Sequence, residues 1–388
     1  LETWFSVPQT TRVSKFLVFL SCIALLLVAG CATTNEAPAG PEETVTNAVP
    51  VVTNLVVVPV VPVVPKTNPV VAIVTNVVVA PRTNPAPAKI VKPPPINAYT
   101  SLPRWAAEQR LSPPLLLSKS PVVTYSVGSK RGVLVFAIGS REATWNGFTF
   151  HLGFPPETID GQIFVHGMDL RKNFEPLLTD PPLDLTPTNR VIVIDPGHGG
   201  MNAGTVSLYD KRTEKEFTLD WARRLVPLLV SNGWTVYLTR TNDVDLSLSN
   251  RVAYADARRA DLFLSLHFNS AAPDKKENGV ETYCLTPVGM PSTLTRGNPD
   301  PWTQWYANNN YDAANLQLAM KVHGAILRAT GQDDRGVRRA RFMGVLHNNH
   351  QPAILIEGGF LSNKAEADKI ESPAFRQKLA EAVANALK

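Results

Sequence analysis

Val191-Ile192-Val193-Ile194-Asp195-Pro196-Gly197-His198-Gly199-Gly200 sets a continuous apolar run directly against a glycine-rich turn that carries an aspartate and a histidine. A short apolar run without alternation fits a strand buried on both faces, as in a parallel sheet covered by helices. Working outward, strands are expected at Arg190–Ile194, Thr235–Leu238, Leu262–Leu266, Val280–Cys284 and Ala353–Ile356. Helices are expected between them at Glu214–Ser231, Leu248–Ala257, Asn315–Thr330 and Pro373–Leu387. This alternation reads as one α/β domain over 190–388, with a largely parallel sheet covered by helices on both faces.

Three of these strands run into a polar side chain. The first ends at the loop bearing His198, Leu262–Leu266 ends at His267, and Ala353–Ile356 ends at Glu357. In open α/β sheets ligands bind beyond the carboxyl ends of the strands, so these groups can converge there. Glu214 opens the helix after the first loop and can reach the same edge. Two histidines and one glutamate make a zinc-hydrolase ligand set that leaves one coordination position open. Each side chain taken singly has a plainer reading, as a turn residue or a helix-dipole partner.

The run Val191–Gly200 resembles the opening motif of the zinc-dependent N-acetylmuramoyl-L-alanine amidases of the autolysin and cell-division type. The similarity continues through Glu214-Lys215, Leu238-Thr239-Arg240-Thr241-Asn242-Asp243, Leu246 to Arg251, Ala260 to His267, and Ile354 to Asn363. It implies that His198, Glu214 and His267 hold Zn2+ and that Glu357 is the catalytic acid/base. It further implies peptidoglycan as substrate, cut between N-acetylmuramic acid and L-alanine for wall remodelling or daughter-cell separation, with a regulatory activator as a candidate partner. The metal would polarise the amide carbonyl. Glu357 would take the proton of water and pass it to the departing amine, with partial desolvation at the end of an apolar strand raising its pKa. Gly358 and Gly359 are expected to leave space for the polymer. Asp195 is expected either to orient His198 from behind or to cap the turn at Pro196.

Two departures from that family stand out. His347 occupies a position where Arg is frequent, and with His350 it is read as a loop residue, with substrate contact or a second metal as the alternative. Thr286 to Asp312 is a long insertion rich in Gly, Pro and Asn that carries Trp302, Trp305 and Tyr306. Aromatic faces stack on sugars, and long loops in compact domains are often functional, so a substrate-contacting lid is expected. His323 falls on an amphipathic helix and needs no special role.

Ahead of this domain, residues 98–185 read as a small α+β domain. Helices are expected at Pro103–Leu111 and Leu170–Leu178, and strands at Val122–Val127, Gly132–Ile138 and Gln162–Met168, with a hairpin at Asn146-Gly147. Asn146-Gly147, Pro155-Pro156, Asp160-Gly161 and Phe164 to Leu170 resemble the N-terminal-type stalk domain named after copper amine oxidases. That resemblance implies a non-catalytic module and no copper, and His151 and His166 are read as surface or packing residues.

Residues 32–97 repeat units such as Thr53-Asn54-Leu55-Val56-Val57-Val58-Pro59, and the chain's prolines crowd there, 13 of 33. They read as an extended, polyproline-like tether. Arg12 and Lys15 precede an apolar run, Phe16 to Gly30, too short to span a bilayer comfortably, and Val28-Ala29-Gly30-Cys31 resembles a bacterial lipobox. Residues 1–30 are thus expected to be a signal peptide, with translation beginning near Val13. Cys31 would be lipidated to hold the exported chain at the outer membrane facing the periplasm. Cys284 is then the one cysteine left beside the lipidated residue, without a partner for a structural disulfide. A net charge of +5 suits an anionic polymer without requiring one, and nothing resembles a nucleic-acid motif. Two rivals remain at this stage: a zinc peptidase acting within the stem peptide, and a non-catalytic lipoprotein that tethers the membrane to the wall.

Overall fold

The computed structural model describes residues 99–186 and 190–388; the expected signal peptide, Cys31 and the tether lie outside them. The first segment contains β1 (Tyr99–Ser101), α1 (Leu102–Glu108), β2 (Leu115–Ser118), β3 (Thr124–Ser129), β4 (Gly132–Ala137), β5 (Glu142–Trp145), β6 (Phe148–His151), β7 (Glu157–Ile159) and β8 (Gln162–His166). Two short helices, α2 (Gly167–Asp169) and α3 (Glu175–Leu178), close it, joined by a wide helical turn, Leu170–Phe174. Asn146 and Gly147 both have positive φ, as a tight hairpin turn requires. The second segment contains β9 (Val191–Pro196), α4 (Glu214–Ser231), β10 (Thr235–Leu238), α5 (Leu248–Ala257), β11 (Leu262–Asn269), β12 (Val280–Cys284) and α6 (Asp312–Thr330). It ends with β13 (Asp334–Arg339), β14 (Ala353–Phe360), α7 (Lys364–Glu371) and α8 (Pro373–Ala386).

The apolar runs behave as buried parallel strands. β10, β9, β11 and β14 lie side by side and parallel. Period-two alternation sends Ile192, Ile194, Leu264, Leu266, Ile354 and Ile356 into one core and Val193, Phe263, Ala353 and Leu355 into another. Phe217, Trp221, Leu225 and Leu229, spaced four apart along α4, fill the first core with side chains of α6 and α8. α5 and the turn Gly344–Leu346 cover the second, through Ala255, Val345 and Leu346. The α4 start is fixed by Glu216, whose carboxylate accepts from both the backbone N–H and the hydroxyl of Thr213.

Within 190–388 the sheet is largely parallel, as expected, with one antiparallel pairing. β12 runs antiparallel to β14 and parallel to β13. Beyond β13 the sheet does not end: Val337 pairs with Phe150 of β6, and β6-β5-β4-β3-β2 continue as an antiparallel meander, giving 11 strands in all. The segments expected as separate domains share one apolar cluster, from Leu134, Phe136 and Phe174 through to Leu316 and Met320. Polar bonds cross the same junction. Arg339 donates to the Lys172 carbonyl and Asn173, Gln317 donates to the carbonyls of Pro176 and Pro181, and Thr149 N–H donates to Asp334. Residues 99–186 are therefore built into the same compact unit as the strands that carry the chemistry.

Candidate metal centre

Sheet register alone brings much of the site together. His267 sits beside Glu357, Glu281 sits on the other side of Glu357, and Ser265 sits beside Asp195. Alternation puts all five on the face covered by α5, at the carboxyl ends of the parallel strands. The β9 loop adds His198, whose φ of +61° is rare for a residue with a side chain. That strained turn is held in place: Arg251 donates to the His198 carbonyl, and Asp243 and Asp245 accept from the N–H groups of Gly200, Met201 and Asn202. Gly197 and Gly204 are demanded by close approach, since a Cβ would fall 2.2 Å from the His267 ring and 2.6 Å from Glu214 Oε2.

His198, Glu214 and His267 offer ligand atoms that all lie within 4.8 Å of one another. Glu214 Oε2 is 3.1 Å from His198 Nε2, and Oε1 is 2.9 Å from His267 Nδ1. The opposite ring nitrogens are already committed. His198 Nδ1 donates to Asn202 Oδ1, and His267 Nε2 donates to Ser265 Oγ, which itself donates to Asp195. The remaining nitrogen of each ring therefore faces a carboxylate oxygen, as an N–H donor when the ring is protonated and as a lone pair when it is neutral. In the neutral form both rings and the carboxylate would offer acceptors to one point, the donor set a divalent metal takes, so the residues present fit such an ion. Burial opposes ionisation of Glu214, but the bonds to His198 and His267 outweigh it and hold the carboxyl far below its ordinary range. Backbone N–H groups of Thr205 and Phe268 also donate to it.

Glu357 is 6 % exposed, and its Oε2 has no hydrogen-bond partner. Burial pushes its pKa up to about 8; the neighbouring charges of Glu214 and Glu281 add to the rise, while His267 and Arg296 oppose it. A buried, unpaired carboxyl costs stability, and such groups gather where chemistry needs them.

Asp195 does not meet His198. Its carboxylate accepts from Ser265, Thr239 and Arg251 and acts on His267 through Ser265, since its side chain points to the α5 face and not into the loop. Gly358 and Gly359 do not open space for a substrate either. A Cβ on Gly358 would press on Phe268, Trp221 and Leu379, and Gly359 has φ +140° against Gln332 and Ile370, so both serve core packing. His347 stacks on Tyr306 at 3.8 Å, His350 pairs with Asp256, and neither joins the metal-type cluster. Trp302 lies edge-on to Phe154 of the first segment, while Trp305 is half exposed. His323 is fully buried between Thr282 and Asp334, at the junction of the two segments.

Several supporting residues were given no role by the sequence, although Arg240 falls within a stretch that carries the resemblance. Arg240 donates to the carbonyls of Pro196, Gly197 and Lys215 and so ties the β9 loop to α4; burial brings its pKa down to about 10. Glu281 is locked by Tyr283, Asn269, Arg335 and Arg338. Strand alternation alone could have pointed to Ser265, which lies two residues before His267 and thus on its face.

A parallel α/β sheet with this side-chain set at its carboxyl edge is the architecture of a metal-type amidohydrolase. The family described as N-acetylmuramoyl-L-alanine amidase matches residues 192–388, half of the sequence, and the chain belongs to that family. The amidase LytC of Bacillus subtilis is 34 % identical over 193 residues, covering 50 % of this chain and 34 % of LytC. The amidase AmiC of Escherichia coli O6:H1 is 32 % identical over 243 residues, covering 57 % of this chain and 58 % of AmiC. The chain thus spans only part of the length of these curated relatives. Among solved structures, the catalytic domain of CwlV from Bacillus (Paenibacillus) polymyxa var. colistinus is 30 % identical, with a TM-score of 0.42, covering 51 % of this chain and 95 % of that one.

Proposed function

We propose that this chain is a zinc-dependent amidase that releases stem peptides from peptidoglycan at the bond between N-acetylmuramic acid and L-alanine. The observation that carries this reading is the pair of imidazole nitrogens facing the Glu214 carboxylate, with the unpartnered Oε2 of Glu357 on the adjoining strand. Zinc held by His198, Glu214 and His267 would supply Lewis acidity at the scissile carbonyl. Glu357, poised near neutrality, takes a proton from the attacking water and returns it to the amine nitrogen, which is otherwise a poor leaving group. Ser265 and Asp195 fix the orientation of His267. Trp305, Tyr306 and His347 are proposed to contact the polymer, and Trp302 to brace their loop.

The same proposal places the chain outside the cytoplasm, lipid-anchored at Cys31 and, in a cell with two membranes, at the outer membrane facing the periplasm. Its support is the lipobox-like Val28-Ala29-Gly30-Cys31 and the proline-rich stretch after it. The stalk-like module contributes support rather than chemistry. A Cys31→Ser chain should lose its lipid mass and leave the membrane fraction.

The test of the activity uses the full chain, because residues 190–388 share their core with the preceding segment. It is incubated with purified peptidoglycan, with and without chelator and added zinc, beside Glu357→Gln. Free peptides beginning at L-alanine, lost with chelator and with the variant, support the amidase. Fragments cut within the peptide would make it a peptidase, and no release from folded, zinc-loaded protein would favour wall tethering.

A further inference from the structure

We propose that Arg296 is a substrate clamp that binds a carboxylate on the stem peptide, so that the enzyme favours wall peptides carrying a free acid near the scissile bond over their amidated forms. This rests on the amidase reading above. Arg296 lies on the loop between β12 and α6 and hangs over the site: Nη2 is 3.2 Å from Asn269 Oδ1, 3.4 Å from the Tyr283 hydroxyl and 4.0 Å from Glu281. Asn269 follows His267 by two residues, and Glu281 is the register neighbour of Glu357. The guanidinium is therefore within one side chain of the reacting groups.

Its charge is not needed where it stands. Glu281 is already neutralised by Arg335 at 2.8 Å and Arg338 at 3.3 Å and accepts from Tyr283 and Asn269 besides. Arg335 also holds Glu277. The surplus cation is the one that faces solvent, its side chain 41 % exposed, with the hydrogen bonds found here using Nη2 alone. The guanidinium also lies 5.8 Å from the Phe342 ring, and its planar fork keeps N–H groups beyond those bonds that can take a carboxylate through two parallel bonds. The glycan side of the substrate offers no such group, because the lactyl carboxyl of the muramic acid is consumed in the scissile amide. An anion that meets Arg296 belongs to the peptide.

The loop is rigid enough to hold this position. Arg341, almost fully buried, donates to the carbonyls of Pro287 and Met290 and pairs with Asp300. From the other segment Arg141 donates to the carbonyls of Pro291 and Ser292. The tip bearing Arg296 is thus bracketed on both sides, which keeps the ordering cost of substrate binding low.

The test compares a muramoyl tripeptide with a free acid on its second residue and the same compound as the carboxamide. Calorimetry on the full, zinc-loaded Glu357→Gln chain reads binding without turnover. The free acid should bind roughly tenfold or more tightly than the amide, the span of a charge-assisted pair. With Arg296→Gln added, the two affinities should converge at an unchanged melting temperature, and Arg296→Lys, which keeps charge but not the fork, should fall between. In turnover by otherwise wild-type chain, the ratio of the two KM values should collapse with Arg296→Gln. Equal binding of both compounds, or a preference that survives Arg296→Gln, overturns the clamp. Peptide release without binding of either compound also overturns it and leaves the amidase standing. An acid preference that depends on Arg296 without any peptide release keeps the clamp and removes the amidase.

Discussion

At one end of the 11-stranded sheet, β10, β9, β11 and β14 run parallel, and the inner three are buried on both faces. At the other end, β2 to β6 form an antiparallel meander whose outermost strand shows Leu115, Leu116 and Leu117 to solvent. Both ends have Phe, Leu and Val cores, but only the parallel end places side chains from three separate strands at one edge. A hairpin returns at once to its neighbour, so its loops alternate between edges. Parallel strands all deliver their loops to the same edge, and His198, His267 and Glu357 meet there. The polar residues behind that edge are correspondingly costly to disturb, while the meander contributes packing.

The largest expected effect tests whether chemistry really resides at the parallel end. Glu357→Gln should lower peptide release by roughly 10²- to 10⁴-fold while leaving the melting temperature equal or higher, because it removes a strained buried acid. Next, Asp195→Ala should couple both properties. It leaves Arg251 as a buried charge without its partner, at a cost of about 3–5 kcal/mol in chemical denaturation, and zinc affinity should fall roughly 10- to 100-fold as Ser265 loses its orientation. Phe136→Ala, in the middle of the meander, should destabilise by about 3–5 kcal/mol through its cavity, with turnover per folded molecule unchanged. A large loss of turnover there would show that the comparison is drawn too sharply.

The smallest expected effect concerns the seam between the ends. Burial, aided by the nearby charge of Arg338, pushes His151 down to about 4 from an ordinary 6.5. Between those values the unfolded chain takes up a proton that the folded chain refuses. The contribution of His151 to stability is therefore intact above about pH 6.5 and is lost as pH falls towards 4, by about 3 kcal/mol at most. Denaturation of the wild-type and His151→Gln chains across pH 4–7 should show a difference that narrows towards low pH. A constant difference would mean that the seam does not exclude the proton.

Much of the parallel end was legible because its signals are local. Continuous apolar runs mark β9, β11 and β14, and four-residue spacing marks α4. β13 was not, since Asp334-Arg335-Gly336-Val337-Arg338-Arg339 looks like a surface turn until Glu277 and Glu281 are placed opposite its arginines. The joining of the two segments through Val337 and Phe150 has no local signature, because the pairing partners are far apart in the chain. For the same reason neither expectation for Asp195, orienting His198 or capping the turn at Pro196, includes its bonds to Ser265 and Arg251, which reach it from other elements. The glycine pair after Glu357 advertises small volume, but only packing tells whether side chains or substrate use the space.

The continuous sheet also bears on aim. Because β6 pairs with β13 and the segments share a core, residues 99–186 and the site form one body. The heading of the site relative to Tyr99, where the described chain begins, is therefore set by the fold. A pull applied at Tyr99 would pass through the shared core and turn the site with it.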